Sequence, residues 1–172
     1  TRLSLMHLVK ASLLFWVILL DSSMVIAQRP QYRIHATLDT AVHIVSGKID
    51  ITYTNHASVA LDKLGIHLWP NAYSTKESAL AKQMVNQKNF DLHKARAADM
   101  GGLAGLRFTT AEQPIQLKTD PEFIDIAWLI LDSPLQPGDS IQVSSPFQLT
   151  IPKSFSRMGH AGNSFQLTQW YP

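Results

Sequence analysis

Val42-His-Ile-Val-Ser-Gly-Lys-Ile-Asp-Ile-Thr-Tyr-Thr54 is the stretch whose reading decides the fold class. Ile49, Ile51 and Tyr53 alternate with Asp50, Thr52 and Thr54. Such period-two alternation puts successive side chains on opposite faces of a half-buried strand. Ser46-Gly47 offers a turn, so residues 42–54 read as a β-hairpin.

The same period continues on both sides. Upstream, Tyr32, Ile34, Ala36 and Leu38 alternate with Arg33, His35 and Thr37. Downstream, Leu64, Ile66 and Leu68 form an apolar face that Pro70 ends, because proline has no ladder donor. Ile124, Ile126, Trp128 and Ile130 mark a strand whose other face carries Ala127, Leu129 and Leu131, a pattern that predicts a central strand covered on both sides, with Trp128 on its apolar face. Pro134-Leu-Gln-Pro-Gly-Asp139 reads as a turn, with proline setting φ and Gly138 taking positive φ. It leads into Ile141 and Val143, and the period runs on through Phe147, Leu149 and Ile151 past Pro146, which implies an edge position or a bulge there. The expectation is an all-β fold, a mainly antiparallel β-sandwich or saddle-like sheet, with one short helix near 75–87.

That helix is expected because Ser74-Thr-Lys-Glu77 fits a capping box, and Leu80, Ala81, Met84 and Val85 follow at helical spacing. A methionine in such a stripe is an ordinary core gap filler. Residues 88–113 show little organisation and read as a flexible excursion. Gly101-Gly-Leu-Ala-Gly105 is not a phosphate loop, since no Lys-Ser/Thr follows in the required place.

Residues 1–27 read as a signal peptide, with Met6 in the position of an initiator. Met6 to Lys10 is a short basic start, residues 11–20 are apolar, and Val25 and Ala27 occupy the positions before a cleavage site. The apolar run lasts about ten residues, against the roughly 20 needed to span a bilayer, so no stable membrane span is expected. Localisation is therefore expected to be exported, periplasmic or extracellular, with residues 28–172 forming the mature domain.

With 172 residues, 45% of them apolar, the chain is long enough to bury one substantial core. The formal net charge of +2 is small and scattered, unlike the clustered basic face of a nucleic-acid binder. The chain has no cysteine, which excludes disulfides and thiolate metal sites. Its seven histidines include no pair four apart on a helix with an intervening Glu, the arrangement that aims two imidazoles at one zinc. His35 and His43 could meet across a strand pair, but such residues are far more often structural than ligands. No Gly-x-Ser-x-Gly elbow is present, and the acidic residues stand singly. No catalytic and no metal-binding residue is expected in this chain.

Four segments carry a resemblance. Ser46-Gly-Lys-Ile-Asp-Ile-Thr-Tyr-Thr-Asn55 resembles the early hairpin of the M1-family zinc metallopeptidases, the aminopeptidase N-like enzymes. His67-Leu-Trp-Pro-Asn-Ala-Tyr73 followed by Ala79-Leu-Ala-Lys82 resembles a segment of a bacterial branch of that family. The stretch from Pro152 through Gly159-His160 to Phe165-Gln-Leu-Thr-Gln-Trp-Tyr-Pro172 is similar to that branch's closing stretch, in which an alternating strand ends the N-terminal β domain ahead of the catalytic domain. The similarity runs from about Tyr32 to Pro172.

The resemblance implies that this chain is the N-terminal domain of a peptidase, truncated before a zinc domain, and inactive alone. The complete enzyme would hold zinc through two His of an HExxH helix and a downstream Glu, with a Glu activating water. Its partners would be the catalytic domain of the same polypeptide and peptide substrates. A Gln in the domain's last strand reaches the family's cleft and shapes the pocket for the substrate's first side chain, and that position maps onto Gln169. Two residues on, many family members carry a Glu or Gln that holds the substrate's free amine. This chain has Tyr171 instead, and a phenol lacks the carboxylate's charge. Trp170 and Tyr171 also fit domain-interface aromatics. Two other readings stay open: a stand-alone exported β-sandwich that binds a glycan or protein through Trp69, Trp128 or Trp170, and a purely structural domain.

Overall fold

The computed structural model describes residues 29–172 except Glu112. The signal-peptide expectation lies outside the described residues. Among the described residues there are eleven strands: β1 (Gln31–Asp39), β2 (Ile44–Thr54), β3 (Leu61–His67), β4 (Gly102–Ala104), β5 (Thr109–Thr110), β6 (Gln113–Pro114), β7 (Gln116–Thr119), β8 (Ile126–Leu135), β9 (Ser140–Thr150), β10 (Gly159–Ala161) and β11 (Ser164–Gln166). They form three antiparallel sheets. The largest runs β1-β2-β9-β5-β6 with β4 also paired to β9, the second runs β3-β8-β7, and β10 pairs β11 alone. Val45, Ile49 and Ile51 of β2, with Val143, Phe147 and Leu149 of β9, bury themselves against Leu129 of β8 and the half-buried Leu64, Ile66 and Leu117 of the second sheet. The all-β expectation therefore holds, as two sheets closed over one core with a short helix beside them.

Residues 42–54 are not a hairpin. Ser46 and Gly47 lie inside the continuous strand β2, and the chain reverses between β1 and β2 at residues 40–43, where Asp39 Oδ1 accepts the amides of Ala41 (2.9 Å) and Val42 (3.3 Å). Gly47 serves packing instead. It stands directly opposite Phe147, and a Cβ there would lie 2.9 Å from the Phe147 ring and 2.4 Å from the backbone oxygen of His35. Glycine within a strand commonly marks such a close approach.

The inward face of β8 is Ala127 and Leu129, whereas Trp128 lies half-buried on the outer face, with Lys63 Nζ 4.5 Å from its ring centroid. The strand is central in its own sheet but covered on one side only, because its second sheet is the outer layer. Pro146 is on a central strand, not an edge. Beyond β2, β9 pairs β4 only as far as Gln148 and β5 only at Ser144, so Pro146 falls in a gap in that ladder. The gap is closed by Arg107, whose amide donates to Ser145 Oγ at 2.8 Å. The Pro137-Gly138 turn is as expected: Gly138 has φ +85° and the Asp139 amide donates to the Gln136 carbonyl at 3.0 Å. Pro134, however, is still within β8.

The helix spans Ala79–Asn86, and its cap is Ser78, four residues later than the expected box. Ser78 Oγ accepts the Ala81 amide at 3.1 Å and donates to the Ala72 carbonyl at 2.7 Å. Ser74 closes the preceding turn by donating to the Asn71 carbonyl, and Glu77 pairs with Thr75. Tertiary packing decides the start: only from Ala79 do Ala81 and Met84 face Leu92 in a small second cluster. Residues 88–111 are structured. They form a helical turn at Asp91–Lys94, a 3-10 turn at Ala97–Asp99, then β4 and β5. Glycine and polar residues hid these elements because they are too short to display a period.

Asn55 is fully buried where β2 ends. Its Nδ2 donates to the carbonyls of Val59 (2.9 Å) and Leu135 (2.8 Å), and its Oδ1 accepts the Ala57 amide (2.9 Å). This one amide ties β2, the loop before β3 and the end of β8. Asn55→Ala should cost about 3 kcal/mol by stranding these buried groups, read as a lower urea midpoint at unchanged m-value.

Candidate functional site

The site forms where the segment after β3 meets the helix and the C-terminal arm. At Trp69–Tyr73 the chain makes a 3-10 turn with Pro70 in its first turn, where a fixed φ and a missing donor are tolerated. Pro70, Ala72 and Tyr73 are buried, leaving Trp69 on the outside, 40% exposed and stacked on His67 with ring centroids 4.5 Å apart. Asn71 anchors the turn: its Nδ2 donates to the Ile124 carbonyl at 3.2 Å and its Oδ1 accepts the Leu103 amide at 2.8 Å.

The alternating strand expected over 164–172 ends at Gln166. Thr168 Oγ1 donates to the Arg157 carbonyl, and Gln169 then takes φ +52°, a left-handed conformation that breaks the strand period. Gln169 is exposed on the arm, not in a strand. Beyond it Trp170 packs on Phe147 (5.9 Å between centroids) and edge-on against Tyr171 (5.6 Å). Tyr171 in turn meets Tyr32 of β1 at 5.7 Å. Burial first, and the neighbouring Tyr171 second, push the Tyr32 phenol above its ordinary pKa.

Two clefts flank this arm. One, of about 440 Å³, is lined by Trp69, Tyr73, Gln83, Gln87, Asp125, Arg157 and Gln169 among others. The other, of about 290 Å³, is lined by Tyr32, Gly65, His67, Trp69, Gln169 and Tyr171. Trp69 and Gln169 line both, so they form the ridge between the clefts. The structure thus brings Gln169 and Tyr171 to one place, with Gln169 reaching both clefts and Tyr171 only the smaller. Aromatic walls with a few amide, carboxylate and guanidinium groups are the usual composition of a small-molecule site of this size. Sequence reasoning missed Gln83, Gln87, Asp125 and Arg157, which are isolated polar residues with no motif around them.

The described histidines do not gather as a metal site. His35 lies exposed on β1, and His43 meets His160 instead, their rings stacked face to face at 3.6 Å. Stacked rings present faces and not nitrogens to one another, so they do not converge on an ion. Among the described residues no group of three or more His, Asp or Glu side chains could hold one, so the residues present do not fit zinc. No helix among the described residues is long and apolar enough to cross a membrane.

Neither protein-family models nor curated proteins give a match to this chain. The peptidase resemblance therefore rests on the quoted residues alone.

Two outcomes follow from the geometry of the arm. Gln169→Val should destabilise by about 1–2 kcal/mol because a β-branched side chain resists the left-handed region, whereas Gln169→Gly should stay within about 0.5 kcal/mol; thermal melts of both variants test this. Gly47→Ala should cost about 1–3 kcal/mol by pushing on Phe147, and should shift the emission of Trp170, compared with a Trp170→Phe reference.

Proposed function

We propose that this chain is the N-terminal structural and cleft-lining domain of an exported, zinc-dependent M1-type aminopeptidase that hydrolyses peptide bonds near substrate N-termini. One observation carries the reading. The turn at Trp69–Tyr73 and the helix at Ala79–Asn86 follow one another in sequence, yet Thr168 and Gln169 of the arm, much further along the chain, join them around one cleft. Their similarity is then a similarity of one surface.

In this reading the chain supplies shape and hydrogen bonding and no chemical step. Gln169 offers an amide, both donor and acceptor, to the substrate's first residue from the ridge it shares with Trp69. Tyr171 is held between Trp170 and Tyr32 and contributes wall area, since its phenol carries no charge to pair with an amine. Zinc and its ligands would belong to the catalytic domain of the same polypeptide.

The test uses the full-length gene product, which should encode HExxH beyond Pro172. Gln169→Ala should alter the preference among first-residue side chains in aminoacyl-amide hydrolysis, with specificity ratios moving by roughly tenfold, the scale of one lost hydrogen bond. An unchanged profile reduces Gln169 to packing, and a gene without HExxH removes the reading altogether.

The exposure of Trp69 beside Gln83, Gln87 and Asp125 favours a second reading, a β-sandwich module that stacks a sugar on Trp69. In that case this chain alone is retarded by a soluble polysaccharide in affinity electrophoresis, and Trp69→Ala abolishes the retardation.

A further inference from the structure

The β10–β11 hairpin leads into the arm, so whatever holds the hairpin down fixes the base from which Gln169 and Tyr171 extend. The His160 amide donates to the Pro152 carbonyl at 2.9 Å, and the Ser154 amide donates to the His160 carbonyl at 3.1 Å. Met158 before the hairpin and Phe165 within it pack on the main core. Beside these contacts, the ring of His160 lies on the ring of His43, at 3.6 Å and 20° from parallel, with Phe165 of β11 packed against both, 5.8 Å from His43 and 6.3 Å from His160.

His43 is itself held rigidly. It closes the β1–β2 turn with φ +57°, and its carbonyl accepts the Ile151 amide at 2.9 Å. His160 Nδ1 is buried and makes no hydrogen bond with any described residue. While the imidazole is neutral with its proton on Nε2, that nitrogen is a lone pair in an apolar contact, which costs little. A proton on Nδ1 would create a buried donor with no acceptor, which is far more costly.

We infer that the His43–His160 stack is a pH-sensitive latch, closed while His160 is neutral, and that protonation of His160 in mild acid loosens the β10–β11 hairpin at the base of the arm that carries Gln169 and Tyr171. The surrounding charges act in this sense. His43 faces His160 from the β1–β2 turn, and Lys153 faces it from the segment after β9; both disfavour a second positive charge. Asp99, from the 3-10 turn at Ala97–Asp99, favours it, but its carboxylate is already engaged by Arg96 at 2.9 Å and Lys153 at 3.0 Å. These two partners hold the Asp99 carboxyl well below the usual carboxylate range.

Burial of the ring first, then His43 and Lys153, lower the His160 pKa from its ordinary value. A released hairpin returns it to about 6.5. The closed form therefore binds fewer protons than the open one below that pH. Its advantage is complete above about pH 6.5 and is lost as pH falls from there toward the lower closed-state value. The latch acts on the arm whatever the clefts bind.

Hydrogen exchange on the whole chain tests it. Protection factors of the Ser154 and His160 amides should fall severalfold between about pH 7.5 and pH 5, while those of Ile49 and Val143 in the β2–β9 ladder stay level. His160→Phe keeps an aromatic ring on His43 and removes the titration, so its protection should not change with pH. His43→Phe removes only the like charge and should show a smaller fall than the native chain. A level profile at Ser154 and His160 in the native chain overturns the latch. So does a fall that persists undiminished in both variants, or one shared by Ile49 and Val143, which would be global unfolding.

Discussion

The contact between Gly47 and Phe147 is the one on which the rest of this structure depends. β2 and β9 pair over their whole lengths, and within that ladder a residue without a side chain faces a phenyl ring. The ring fills the space that a Cβ would take, which lets β1 fold close over β2 on one side. On the other it presents a surface on which Trp170 rests. Core packing and the placing of the C-terminal arm are thus one problem solved at one position. An interior packed to crystalline density transmits a shift there with little loss.

Two side-chain amides, the buried Asn55 and the half-buried Asn71, do for the loops what Phe147 does for the arm. Asn55 joins the end of β2 to the end of β8, and Asn71 joins the turn beneath Trp69 to β4 and to the approach to β8. Each satisfies backbone groups that no ladder reaches, and a satisfied polar group in a low-dielectric interior specifies position as well as stability. The clefts beside Gln169 exist because these loops are pinned, with no regular element lining more than part of them.

The long strands β1, β2, β3, β8 and β9 were legible because alternation over seven or more residues leaves few alternatives, and the Pro137-Gly138 turn was legible from the φ demands of its two central residues. Three readings failed for a common reason. Ser46-Gly47, Pro146 and Ser74-Glu77 each have a local meaning, as turn, edge and cap, that tertiary neighbours overrode: Phe147 claimed the glycine, a gap between β4 and β5 accommodated the proline, and Leu92 set where the helix could begin. Gln169 and Tyr171 were picked out by resemblance. The polar groups around them were not, since nothing in the order of residues says that Gln83, Asp125 and Arg157 share a wall.

The sequence by itself determined that this protein is an antiparallel β fold with a short helix and without disulfides, because side-chain alternation and the lack of cysteine are properties of the chain alone. Only the tertiary structure decided which face of β8 is inward, that His43 meets His160, and that Gln169 leaves the strand to stand between two clefts. Those outcomes turn on contacts between residues about 20 to 120 positions apart, whose energies no local pattern records.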